Sequence, residues 1–530
     1  MRPSRTLLTM IGVTALALSG CGGGSSDAGS GDSGTLADGK TFTMSVATDP
    51  GNLDPMMTVL SVTRQVDRFL YGTLVQQEDD GTIVGSLAEK WDADTTKATF
   101  TLRDGITCSD GAAVTASDVA ENINFIADPA NKSPLNGLWV TAGTKATADD
   151  ATRTVTVTSG APDAFLLVNL GTVPIVCGKG LEDRSVLAKG ESGTGMFTIS
   201  EVVPNDHYTL KRRDDYTWGP GDFDPEQKGL PDEVVFKVVP NETTAANLLT
   251  SGDINAVSIA GPDQDRLLAQ DLFHGDLVSP IGQFYFNQAD GRATQDEEVR
   301  RALTQALDLD ELTKVVTGGK GKRSEGMVTI APKPCSIDTV SGHLPDHDDA
   351  AAKSALDAAG WTAGADGVRT KDGKKLSFTV IYGTQLGSTM TAAAELVQQT
   401  WKELGADVTL KGVDSPGLNE VLFGTGDWDV SMGPLTVGLP SQIVPFLSGP
   451  VPPQGVNFAH IENAGYTESV TKASAMAGAE GCESWAAGES ALFDSVDVVP
   501  YADTVVPTFG KGAEFAVNDG IDPASIRMYE

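Results

Sequence analysis

From Thr41 to Ala47 the apolar residues Phe42, Met44 and Val46 alternate with Thr and Ser, a period of two that predicts the first strand of the folded body. The turn-rich run Asp49-Pro50-Gly51-Asn52-Leu53-Asp54-Pro55 follows it as a loop. Ala98–Arg103 puts Ala98, Phe100 and Leu102 on one face before the turn Asp104-Gly105, and Arg153–Thr158 sets Val155 and Val157 between threonines, so both predict half-buried strands. The period then changes. Glu297–Leu307 carries Val299, Ala302, Leu303, Ala306 and Leu307 at helical spacing, and Asp348–Ala359 repeats that pattern before Gly360 ends it. Leu376–Ile381 is strand-like, and Thr391–Leu404 is helical with Gly405 as its stop. Strand and helix alternate through the C-terminal half, which predicts α/β lobes with mixed sheets, and no short repeat recurs.

The N-terminus has a different pattern. Arg2 and Arg5 precede an uncharged apolar stretch from Leu7 to Leu18, the layout of a signal peptide and too short for the roughly 20 helical residues that cross a bilayer. The stretch ends in Leu18-Ser19-Gly20-Cys21, which resembles the bacterial lipobox. That resemblance implies cleavage before Cys21, a diacylglycerol on its sulfur and acylation of the new amino terminus, enough chains for stable anchoring. The Gly/Ser/Asp tract that follows, through Gly39, reads as a flexible tether. Within it, Gly31-Asp32-Ser33-Gly34 imitates a serine-protease motif, but such a linker cannot hold a nucleophile in register with a base.

The roughly 490 residues after the tether exceed one hydrophobic core, so at least two domains are expected. No other uninterrupted apolar run approaches the length of a membrane span. A formal charge of -34 argues against nucleic acid, whose phosphates need clustered Lys and Arg. Besides Cys21 the chain has Cys108, Cys177, Cys335 and Cys482, an even set that favours disulfides after export and allows three pairings. Their spacing excludes a CxxC zinc or redox motif.

Gly85-Ser86-Leu87-Ala88-Glu89-Lys90-Trp91, then Thr99 through Ile106, then Ser109-Asp110-Gly111 and Thr115-Ala116-Ser117-Asp118-Val119 closely resemble the signature of the peptide/nickel-type (family 5) solute-binding proteins, the dipeptide- and oligopeptide-binding group. The likeness continues in order through Gly193-Thr194-Gly195, Tyr216, Val234 to Pro240, Ser251-Gly252-Asp253-Ile254, Phe286-Asn287, Val299-Arg300-Arg301-Ala302-Leu303 and Ala359-Gly360-Trp361. Most of these residues also have a structural reading: turns at the Asp-Gly pairs, a helix cap at Thr115 or Ser117, Trp91 in a core, and Arg300-Arg301 holding a hinge helix.

The resemblance implies an α/β, two-lobed clamshell like periplasmic binding proteins (type II, the large cluster C variety), with mixed sheets and a two-strand hinge. The strands would cross near Gln283–Asn287 and Val498–Val506, giving lobe I as 40–285 plus 505–530 and lobe II as 286–504. Pairing Cys108 with Cys177 and Cys335 with Cys482 then keeps each disulfide inside one lobe. The implied function is the substrate-binding component of an ABC importer. It would capture a peptide or peptide-like solute in the cleft and deliver it to permease subunits served by cytoplasmic ATPases. The protein would sit, as a monomer, on the outer face of the cell membrane or in the periplasm, with no cofactor and no membrane contact beyond the anchor.

Here the sequence departs from the peptide-binding members, in which an aspartate after the corresponding strand receives the peptide ammonium. The matching stretch runs from Gly426 to Pro440 and has no carboxylate between Val430 and Pro440. Either another acid serves, such as Asp49 or Asp54, or the ligand is a glycoside, an opine or a chelate. The substrate-binding candidates are Asp49, Asn52, Gln283, Tyr285, Tyr382, Trp428, Gly433 and Leu435. His343 and His347 lie among Asp346, Asp348 and Asp349, a tract read as a solvated loop and helix start. With five histidines and no HExxH, GxSxG or P-loop, neither a metal site nor a hydrolase is expected, and a ligand sensor on the same scaffold is the other alternative.

Overall fold

The computed structural model describes residues 34–530; the expected signal peptide, Cys21 and the part of the expected tether up to Ser33 lie outside them. Alternation at Thr41–Val46 gives a strand with Phe42, Met44 and Val46 buried. It belongs to a ten-stranded sheet. In chain order the strands are β1 (Thr41–Val46), β2 (Phe197–Val203), β3 (His207–Arg212), β4 (Glu233–Val238), β5 (Ala256–Ser258), β6 (Phe273–Phe286), β7 (Ser377–Gly383), β8 (Asp407–Val413), β9 (Val430–Met432) and β10 (Val498–Gly510). Across the sheet they lie in the order β8-β7-β9-β6-β10-β5-β1-β4-β3-β2. β6 and β10 pair antiparallel along their whole length, from Phe273 opposite Gly510 to Tyr285 opposite Val498. At one end β10 meets β5, and at the other β6 meets β9, so these two strands alone join the halves of the sheet.

Each half has its own core. One cluster runs from Phe42 to Phe236 and takes in Phe515, Ile521 and Met528 near the C-terminus; a second is built from Phe284 to Ala502 around Phe378, Trp401 and Tyr501. Trp91 packs half-buried against the first. That core also rests on a four-stranded antiparallel sheet of Ala88–Ala93, Lys97–Leu102, Thr154–Thr158 and Lys145–Asp149. Thr115, rather than Ser117, caps the helix Ala116–Ala127 in a reciprocal capping box with Asp118. Cys108 is bonded to Cys177 and Cys335 to Cys482.

Most predicted elements recur with shifted ends. The strand expected from Arg153 starts at Thr154, because Arg153 has φ 54° and closes the preceding turn. The helix Asp349–Ala358 has Asp348 as its cap, and Glu297–Gln305 stops two residues early. The helix Gly387–Glu403 starts four residues before the apolar periodicity does, on the polar run Gly387-Ser388-Thr389.

One residue of the first core is electrostatically unfavourable. Asp67, in the helix Ser61–Leu70, is 2% exposed, and neither carboxyl oxygen has a hydrogen-bond partner among the described residues. Burial, then the nearby charge of Asp54, push its pKa well above the ordinary value, against a smaller opposing effect of Arg64. A carboxyl whose pKa is raised on folding lowers stability as pH rises from its unfolded value toward its folded one. Asp67→Asn, which cannot ionise, is therefore expected to raise unfolding free energy by about 1–3 kcal/mol at pH 8. The gain should shrink as pH falls and vanish only below about pH 3, where both states are protonated; urea titrations at the two pH values check it.

Candidate functional site

The sheet directions define where the two halves face each other. In the first lobe β1 runs parallel to β4 and β5; in the second β9 runs parallel to β7, and β7 to β8. β10 is antiparallel to both β5 and β6, and β6 is antiparallel to β9, so β5 and β9 point toward one another along the hinge. The carboxyl ends of both sets of parallel strands thus border one interlobe region, the position at which open α/β sheets bind ligands.

In the first lobe this border holds the loop after β1. Asp49 accepts bonds from Tyr208 Oη at 2.6 Å, Gly51 N at 2.8 Å and Asn205 N. Burial alone would raise its carboxyl, but these three bonds outweigh it and hold the pKa below the usual value. Asn52 is exposed and accepts a bond from Asp54 N at 3.1 Å. Asp54 is 4% exposed and accepts from Arg184 through both oxygens, Nε donating to Oδ2 at 3.0 Å; the guanidinium lies over the Phe125 ring. Both alternative acids are already engaged. Met57, Val59 and Leu60, just beyond, stand exposed although apolar.

On the second-lobe side, Tyr382 closes β7 at 8% exposure, and Gly433 and Leu435 follow β9. Gln283 binds this segment to the hinge. Its main-chain oxygen accepts from Gly433 N at 3.1 Å, and its Oε1 accepts from Leu435 N at 2.8 Å and Tyr285 Oη at 2.6 Å. Four of the sequence candidates therefore form one bonded unit. Trp428 lies in the core instead, 0% exposed and tilted on Phe458, with its carbonyl accepting from Asn287 Nδ2. Its neighbour Asp429 accepts from Arg292 Nη1 at 2.7 Å and Thr379 N at 2.8 Å.

Sequence reasoning missed the contacts that cross between lobes. Phe165 stacks on Trp485 with ring centroids 6.1 Å apart, Ala164 O accepts from Gly478 N at 2.7 Å, and Asn169 Oδ1 accepts from Gln442 Nε2 at 3.2 Å. Residues hundreds of positions apart carry no pairwise signal in one sequence. The histidine tract behaves as a helix start: Asp348 caps Ala350 and Ala351, and His343 faces Asp494. No group of three or more His, Cys, Asp or Glu able to hold a metal occurs among the described residues, nor any helix long and apolar enough to cross a membrane.

The sequence profile described as "Bacterial extracellular solute-binding proteins, family 5 Middle" matches residues 82–448. The chain is 27% identical over 414 residues to the periplasmic murein peptide-binding protein MppA of Escherichia coli, covering 71% of each chain. It is 25% identical over 390 residues to the nickel-binding periplasmic protein of the same organism, covering 70% of this chain and 71% of that one. Among solved structures it is similar to a substrate-binding protein from Microbacterium hydrocarbonoxydans complexed with 4-hydroxybenzoate hydrazide, at 26% identity and a TM-score of 0.74, covering 92% of this chain and 100% of that one. With the match spanning most of the chain and the two-lobed fold in place, the protein belongs to the family 5 bacterial extracellular solute-binding proteins.

Proposed function

We propose that this extracytoplasmic, substrate-binding component of an ABC importer takes a peptide or peptide-like solute between its lobes. The observation that carries the reading is the opposition of the strand carboxyl ends across β6 and β10, which supports a site between the lobes. A solute touching both lobes binds the shut form better than the open form, so its binding shifts the population toward closure, and the permease receives the shut form. The peptide class is supported by relatives such as the murein peptide-binding protein. The lobes divide at 40–285 plus 505–530 and 286–504. Asp49, Asn52, Gln283, Tyr285, Tyr382, Gly433 and Leu435 border the site, with Trp428 behind it. Cys21 carries the lipid anchor, the tether spaces a monomer from the membrane, and no step of this role is catalytic.

Thermal unfolding of the mature, tether-free chain against di- to pentapeptides, sugars and nickel or iron chelates tests this. A solute at 100 times its Kd is expected to stabilise the protein by about 2.7 kcal/mol. A shift from peptides alone supports the reading; a shift from sugars or chelates alone overturns the peptide class and keeps solute binding.

A further inference from the structure

The hinge strands contain a β-bulge. Between Pro280 and Gln283 the pairing of β6 with β10 slips, so that Gly282 lies opposite Ala502 and Gln283 opposite Pro500. A bulge re-aims the side chain beside it. Gly282 is required there because a Cβ would lie 2.3 Å from the Tyr501 ring. Gln283, wholly enclosed at 0% exposure, is turned to the face shared with Tyr285.

The orientation of its amide is fixed chemically. Leu435 N–H can only donate, so the atom 2.8 Å from it is the oxygen, and that oxygen also takes the Tyr285 hydroxyl. The amide nitrogen is therefore directed elsewhere, and it has no acceptor among the described residues. Trp428 Nε1, Trp485 Nε1 and Tyr466 Oη are likewise buried without a partner, in the one apolar cluster that Phe165 of the first lobe enters. The two indole nitrogens can only donate. Such groups are unfavourable by about 1–3 kcal/mol each unless an occupant accepts from them. The acids Asp49, Asp54 and Asp429 are each engaged with other donors.

We infer that the solute is anchored at the hinge by an acyl oxygen accepting from Gln283 Nε2, with an aromatic or apolar body against Tyr285 and Phe165, and that it is not led by an ammonium group. This rests on the solute-binding reading above and narrows its class to acyl compounds: amides, hydrazides, carboxylates and amino-blocked peptides. An ammonium placed there would meet donors, whereas a carbonyl completes them.

The test is calorimetric titration of the mature protein with Phe-Ala-amide, its N-acetylated form, benzoate and 4-hydroxybenzoate hydrazide, repeated on Gln283→Glu. Glu keeps an oxygen for Leu435 N–H and Tyr285 O–H and, when ionised, has no hydrogen to give, so the variant is titrated at both pH 6 and pH 9 to separate the carboxylate from the protonated acid, which would still donate. The expected result is an N-acetylated peptide or hydrazide bound at least tenfold more tightly than the free-amino peptide, and at least a tenfold loss of that affinity in Gln283→Glu. Benzoate separates a carboxylate from a neutral acyl anchor. Tighter binding of the free-amino peptide, a comparison that needs no variant, overturns this inference and leaves the peptide reading intact. An unchanged acyl affinity in a folded Gln283→Glu at pH 9 also overturns it, as does silence from every probe, whereas the peptide reading stands or falls on the thermal panel above.

Discussion

Arg300→Ala is expected to lower unfolding free energy by about 3–5 kcal/mol, the range for breaking a buried ion pair from one side. Arg300 and Asp497 have side chains 4% and 5% exposed, and Nη2 donates to Asp497 Oδ1 at 2.9 Å. The other donors serve main-chain oxygens of Val496, Thr294, Gln295 and Ser495. The guanidinium thus ties the helix Glu297–Gln305 to the turn that leads into β10, at the second-lobe root of the hinge. Burial depresses the Arg300 pKa and raises that of Asp497, so the pair is not strongly stabilising in itself. Removing one member is the damaging step, since it leaves the buried Asp497 carboxylate with only the neutral donors Gln288 and Asn463 and takes the Arg300 donor from four carbonyl groups. Arg300→Ala combined with Asp497→Asn should recover part of the loss, and Arg301→Ala, whose partner Glu297 is half exposed, should change stability by less than about 0.5 kcal/mol. Urea denaturation of the three variants distinguishes these values; equal losses for Arg300 and Arg301 would refute the ion-pair account.

Arg300 also shows what a single sequence makes legible. Val299, Ala302 and Leu303 at helical spacing placed the helix, and the family signature marked Arg300-Arg301 as structural, but neither reveals which arginine is buried. The strands with strict alternation, β1 and those around Phe100 and Val155, were readable because a half-buried sheet has a period of two. β5 and β9, three residues each, are too short to show a period, and without them the two halves cannot be seen to share one sheet. β6 was caught only at its second-lobe end: Gly275, Pro280 and Gly282 interrupt its pattern, and in the structure they accompany a twisted, bulged crossing. The site divides in the same way. Gln283, Tyr285, Gly433 and Leu435 could be named from the strand ends, while the bond that turns the Gln283 amide needs the fold.

The disulfide Cys335–Cys482 is expected to contribute about 2–5 kcal/mol, and Cys335→Ala with Cys482→Ala to lower unfolding free energy by that amount. The two cysteines are 147 residues apart in sequence, so the bond removes a large loop entropy from the unfolded chain. Its local effect follows from where it acts. Residues 317–348, between the helices Leu309–Val316 and Asp349–Ala358, form no helix or strand, an unusually long irregular stretch for a compact body. A few ties hold it. Ser324 Oγ donates to Asp503 Oδ1 at 2.7 Å in the hinge, Met327 N and Thr339 Oγ1 donate to Glu489, and Cys335 is bonded to the helix that carries Glu489. Burial disfavours the ionised form of both acids, raising Asp503 to a pKa of about 6 and Glu489 as well, so although the bonds themselves favour the carboxylates, the segment loses stability as pH rises from the ordinary carboxyl range through the folded values. Without the disulfide, hydrogen exchange should accelerate through 320–343 and not through β1 or β4, and more at pH 8 than at pH 5. Exchange unchanged in that window would mean that Met327 and Val340, buried in the aromatic cluster, suffice to hold the segment, and that the bond acts on the unfolded chain alone.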